Sequence, residues 1–149
     1  MKIYLGADHA GFEFKEKIKE FLMSGGYEVE DCGAKTYEPN DDYPDFCSVA
    51  AKKTAENHGS FGIVLGKSGA GEAIVANKIK GIRAALGVNE ENVRLAREHN
   101  DANVLSLGSI FCDTETAKKL AKLFLETPFS NEERHVRRVN KIRELENNQ

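Results

Sequence analysis

The chain has 149 residues, 40% hydrophobic and 30% charged, with a formal net charge of -3. That length suits one domain with a real core and is short for two, and the charge balance gives no general attraction to nucleic acid or an anionic membrane. No apolar run approaches a spanning helix, and Cys32, Cys47 and Cys112, odd in number and without a Cys-x-x-Cys pair, imply neither a disulfide framework nor a zinc site and read as buried thiols.

Residues 3–6 read as a first strand and not as a leader, which makes a cytoplasmic protein the expectation. Residues 12–23 form a helical pattern with Phe14, Ile18, Phe21 and Leu22 on one face, Lys15, Lys17, Lys19 and Glu20 opposite, and Gly25-Gly26 as the stop. A short strand at 27–31 leads into the non-periodic stretch 38–45, either a loop near a site or a mere connector, and then into a helix at 46–56. Strand 62–65 is followed by helix 72–79, strand 83–87 by helix 91–98, and strand 103–108 by helix 114–125 with Asp113 as N-cap and Pro128 beyond its end. A charged helix at 132–146 closes the pattern. Repeated strand-helix units predict an α/β fold, a Rossmann-like three-layer αβα sandwich with a mostly parallel sheet of about five strands, formed by residues 1–149 as one domain.

Ligands of such sheets sit at the carboxyl ends of strands. Two of those ends carry polar chemistry: Asp8-His9 after the first strand, and Gly66-Lys67-Ser68-Gly69-Ala70-Gly71-Glu72 after the third. A glycine-rich turn running into a helix start aims backbone N–H groups and a positive dipole end at one point, so it can hold an anion. It is not a P-loop, whose first glycine would fall at Phe61, and glycines at 66, 69 and 71 do not make the dinucleotide fingerprint, so no nucleotide is implied. Glu72 in the first helical turn is placed to act as a general base on a substrate held there. His58 has no company and reads as a surface residue, and His99, before the fifth strand, reads by itself as a solvated loop residue. On the last helix Arg134 and Arg138 share a face and can clamp a phosphate, or can simply be part of a solvated basic face.

Taken together, Asp8-His9-Ala10-Gly11-Phe12, Asp42-Tyr43-Pro44-Asp45, Gly66-x-Ser68-Gly69-x-Gly71, Ala76-Asn77-Lys78, Gly81-Ile82-Arg83-Ala84, His99 to Val104 and Arg134-His135-x-x-Arg138 resemble ribose-5-phosphate isomerase type B, in the superfamily shared with the galactose-6-phosphate isomerase subunits. The resemblance implies interconversion of ribose 5-phosphate and ribulose 5-phosphate without metal or organic cofactor, in a homodimer, possibly a tetramer, whose sites lie between subunits. It implies that Asp8 and His99 assist ring opening, that His9, Arg134 and Arg138 lie near the phosphate, and that Tyr43, the 66–71 loop and Asn100 line the sugar. Many members carry a cysteine base where this chain has Gly66; a branch without it uses a glutamate in the turn after the loop, matched here by Glu72. Ile110 stands where members often have a phosphate-contacting arginine, and Lys67, in place of the usual loop glycine, is the candidate to offset that charge. An enediolate mechanism needs one base serving two carbons and donors for the developing oxyanion, roles that Glu72, Ser68 and the amides of Gly69 and Gly71 fit; Ser68 as the base is the alternative. The other readings are isomerisation of a six-carbon sugar phosphate, such as allose 6-phosphate or galactose 6-phosphate, and a non-catalytic sugar-phosphate binding module.

Overall fold

Short apolar runs such as Ile3-Tyr4-Leu5 and Ile63-Val64-Leu65 are buried on both faces, the condition under which a strand reads as continuous hydrophobic sequence. The computed structural model describes residues 1–149 and assembles five such strands in the order β2-β1-β3-β5-β4, every pairing parallel. They are β1 (Lys2–Ala7), β2 (Glu28–Asp31), β3 (Phe61–Gly66), β4 (Ala84–Leu86) and β5 (Val104–Gly108). The helices are α1 (His9–Ser24), α2 (Tyr43–Glu56), α3 (Ala70–Asn77), α4 (Glu90–Asn100), α5 (Thr114–Glu126) and α6 (Glu133–Asn147). The expected three-layer parallel architecture is the observed one.

Period-two alternation divides the core. Ile3, Leu5, Ile63, Leu65, Leu105 and Leu107 face α1, α4 and α5, which supply Ile18, Leu22, Leu120 and Phe124. Tyr4, Val64 and Val104 face α2 and α3, where Cys47, Ala50, Ala51 and Ala76 keep the side chains small and let those helices approach closely. α6 packs on α4 and reaches back to the turn before β4, where Gly81 N–H donates to Glu146 Oε1.

Three boundaries and one face differ from expectation. α1 begins three residues early because Asp8 caps it, its Oδ1 accepting from the N–H groups of Ala10 and Gly11. α2 also starts early, with Pro44 in its first turn. α3 opens at Ala70, directly on the left-handed Gly69. Lys15 is fully buried, not solvated: it lies one turn before Ile18 and two before Leu22, on their stripe, and Nζ donates to both oxygens of Asp31 and to Ala34 O, each at 2.7 Å. Of the three thiols only Cys47 is buried; Cys32 and Cys112 are half-buried.

Candidate active site

β1 and β3 are neighbours in the sheet and belong to the point where strand order reverses, so their carboxyl ends open one crevice. Gly11 has no room for a side chain against the Leu65 carbonyl, and this close approach brings the start of α1, with Asp8 and His9, onto the beginning of the glycine loop.

The loop is anchored by its carbonyls. Gly66 O accepts from Ser109 N–H at 2.9 Å, Lys67 O from Ile110 N–H at 3.1 Å, and Gly69 O from the buried Ser106 hydroxyl at 2.6 Å. In a planar trans peptide the N–H points opposite to the preceding C=O, so the amides of Lys67, Ser68 and Ala70 are turned away from β5. Ala70 N–H meets Ser68 Oγ at 3.3 Å; Ser68 itself is half-buried. Ser106, missed by sequence reasoning, is a lone polar residue in an apolar strand, and that is the signal it gave.

Glu72 is only 4% exposed, and its carboxylate occupies the space that a side chain at position 66 would fill: a Cβ on Gly66 would collide with Oε1 and Cδ. A glycine at 66 and a glutamate at 72 are therefore one feature. Oε2 is buried without a hydrogen-bond partner. Burial raises the Glu72 pKa first and the charge of Asp8 adds to it, while the backbone amides of Glu72 and Gly69 oppose the shift. A carboxyl whose folded pKa is raised favours the protonated folded state, and that contribution is lost as pH rises through the folded value. Glu72→Gln should accordingly melt a few degrees above wild type at pH 8, with the gap closing at acidic pH in a thermal scan series; equal melting temperatures at pH 8 would contradict a strained carboxylate.

Tyr43 stacks against the other side of the loop, its ring atoms taking the place a Gly71 side chain would need, at 2.6 to 2.9 Å. The stretch 38–45 is therefore part of the crevice. It also supplies Asp41, unassigned from sequence, whose Oδ1 accepts from His9 N–H and lies 2.8 Å from His9 Nδ1. One carboxylate oxygen each of Asp8 and Asp41 and a ring nitrogen of His9 lie within 4.8 Å of one another, and Oδ1 of Asp8 serves the helix cap while Oδ1 of Asp41 holds the imidazole. Lys67 and Ile110 are exposed side by side on bonded backbone.

The remaining candidates lie elsewhere. His99 is in the last turn of α4, not in a loop, and α4 ends just before β5 begins; Asn100 follows it, exposed. The His99 ring stacks on His135 of α6 at 4.1 Å, and Arg134 and Arg138 are exposed on the same helix. All four belong to the amino edge of the sheet, across the length of a five-residue strand, roughly 17 Å, from Glu72. One chain thus places the two groups of candidate residues on opposite edges of the sheet, and His9 does not meet Arg134 and Arg138 within it. A cleft of about 560 Å³ also lies at the amino edge, lined among others by His58, Lys80, Arg83 and Arg143. Of its guanidiniums, those of Arg83 and Arg97 are bonded to Asp101 and to backbone carbonyls.

Residues 3–142 match the family model described as Ribose/Galactose Isomerase. The chain belongs to that family. The chain is 47% identical over 146 residues to ribose-5-phosphate isomerase B of Mycobacterium leprae, covering 98% of this chain and 90% of that protein. Among solved structures, the isomerase B of Mycoplasma genitalium with bound ribulose-5-phosphate superposes with a TM-score of 0.95 at 38% identity, over 99% of this chain and 97% of that one. The type B enzyme of Trypanosoma cruzi gives 0.94 at 38% identity over the whole of both chains. No helix is long and apolar enough to cross a membrane.

The family's alternative base, a cysteine at position 66, is absent, and burial pushes the thiols present upward: Cys32 to about 11, Cys112 in the same direction, and Cys47, beside Glu72 and Asp8, furthest. Iodoacetamide and EDTA should each leave the turnover of the native protein unchanged in a steady-state assay. Inactivation by either would bring a thiol or a metal into the mechanism.

Proposed function

We propose that the chain isomerises ribose 5-phosphate and ribulose 5-phosphate through an enediolate, with Glu72 as the base. The observation that carries the assignment of the base is the packing of the Glu72 carboxylate into the space above Gly66, where other members present a thiolate. With the sugar open, Glu72 takes the proton from C2 as the C2–H electrons move toward the C1 carbonyl and charge develops on O1. The same carboxyl then delivers its proton to C1, whose new C–H bond takes up the C1=C2 electron pair, while the O2 hydroxyl proton passes to O1 and C2–O2 becomes the ketone. Ser68 Oγ and the outward amides of the loop hold the oxyanion. A buried carboxylate with a raised pKa is closer to the operating pH than a solvated one, which suits it to this role, and predicts an acid limb of kcat/KM above the ordinary carboxylate range.

Tyr43 and the 66–71 loop line the sugar. The phosphate lies between His9 and Lys67 of one chain and Arg134 and Arg138 of a second, whose His99 and Asn100 reach the ring oxygen and hydroxyls; Asp8 and His99 assist ring opening. Two half-sites on opposite edges of one chain favour a homodimer in which each copy completes the other. Around the carboxyl-edge half, Ile74, Val88, Ile110 and Phe111 are each more than half exposed, an apolar rim fit for burial against a partner. Arg134→Ala and Arg138→Ala should each raise KM by about ten- to a hundredfold, the worth of a charge-assisted contact, with a smaller effect on kcat. An unchanged KM in both variants would remove them from the site. Assay of the purified protein with ribose 5-phosphate and with allose 6-phosphate tests the substrate: the five-carbon sugar should have the higher kcat/KM, and preference for the six-carbon one would reassign it.

A further inference from the structure

His9 opens α1 at the carboxyl end of β1, and the connection into α2 holds it at two points. Asp41 Oδ1 accepts from the His9 backbone N–H and lies 2.8 Å from Nδ1. A carboxylate oxygen accepts and does not donate, so Nδ1 carries its proton and Nε2 is the nitrogen left for a ligand. Tyr37 closes one flank of the ring edge-on at 6.4 Å. The Asp41 side chain is 10% exposed and the imidazole about a third exposed, so the pair has a buried end and an open end. At the buried end Asp41 Oδ2 has no partner. A carboxylate oxygen buried without a donor is costly, and the group beside it able to offset its charge is the imidazole.

We infer that Asp41 is a positioning residue for substrate recognition: it grips His9 by Nδ1 and by the helix-start amide, and so presents Nε2–H to the phosphate of the sugar phosphate bound at the 66–71 loop. This rests on the substrate reading above. The groups facing the ring are Asp8 at the cap of its own helix, Asp41 from the connection, and the Tyr37 phenol. The hydrogen bond that Nδ1–H donates to Asp41, and then the charges of Asp8 and Asp41, raise the His9 pKa against the opposing effect of burial, and the order from inside to outside is carboxylate, imidazole, phosphate.

Asp41→Asn keeps the size and the oxygen acceptor but removes the charge. Kinetics with ribose 5-phosphate between pH 5.5 and 8.5, with the His9 Cε1 proton followed by NMR, read the consequence. In Asp41→Asn the His9 midpoint should fall, KM at pH 8 should rise about tenfold, and KM should converge on wild type toward pH 6, where the imidazole protonates unaided; kcat should stay within about twofold. His9→Ala should raise KM at every pH, and adding Asp41→Asn to it should change nothing more. An unchanged His9 midpoint, or a KM increase of the same size at every pH, would overturn the inference and leave Asp41 a loop anchor. If the wild type does not isomerise sugar phosphates, the substrate reading fails by itself. Titration of wild type with inorganic phosphate then still decides the positioning: its effect on the His9 signal at pH 8 should be lost in Asp41→Asn, and an equal response in both proteins would overturn it.

Discussion

Glu72→Gln should lower kcat by roughly two to four orders of magnitude, the range that loss of a positioned base produces, while KM and the fold change little. The substitution preserves volume, so the carboxamide still fills the space over Gly66, and Tyr43 keeps its place against Gly71. Only the proton acceptor is lost. Ser68→Ala should cost less, about a hundredfold, since it removes one oxyanion donor of several. The reverse order of severity would move the chemistry from the helix turn to the loop. Gly66→Cys by itself should also be poorly active, because its side chain would displace the Glu72 carboxylate.

Mixing two inactive variants should produce activity from none. With Glu72→Gln in one copy and His99→Asn in the other, a mixed dimer of the proposed kind has one composite site carrying both changes and one carrying neither. Random exchange makes half of the dimers mixed, so recovery should approach about a quarter of wild type. The expectation follows from geometry: His99 lies at the end of α4 beside the start of β5, and Glu72 just beyond the end of β3, on opposite edges of a parallel sheet. No recovery after exchange proven by mass spectrometry would mean that each chain holds a full site.

The architecture was legible because strands buried on both faces and helices with one apolar stripe leave separate patterns, and because adjacency of β1 and β3 puts Asp8 and the glycine loop in one crevice. Helix starts were less legible, since Asp8 as a cap and Pro44 in a first turn extend helices beyond their periodic residues. Lys15 was misplaced by residue type: its position on the Ile18 and Leu22 stripe outranked its charge once Asp31 and Ala34 O were available to it. The through-space features of the site could not be read at all. Nothing along the chain joins Ser106 to Gly69 O or Asp41 to His9, because each pair is brought together only by the crossover connections.

The most direct measurement is exchange of the substrate C2 proton with solvent deuterium, followed by NMR during incubation of ribose 5-phosphate with wild type, Glu72→Gln and Ser68→Ala. If Glu72 moves the proton, exchange is rapid in wild type, slowed but present in Ser68→Ala, and absent in Glu72→Gln although the ligand still binds. Near-normal exchange in Glu72→Gln together with none in Ser68→Ala would contradict the account and make Ser68 the base.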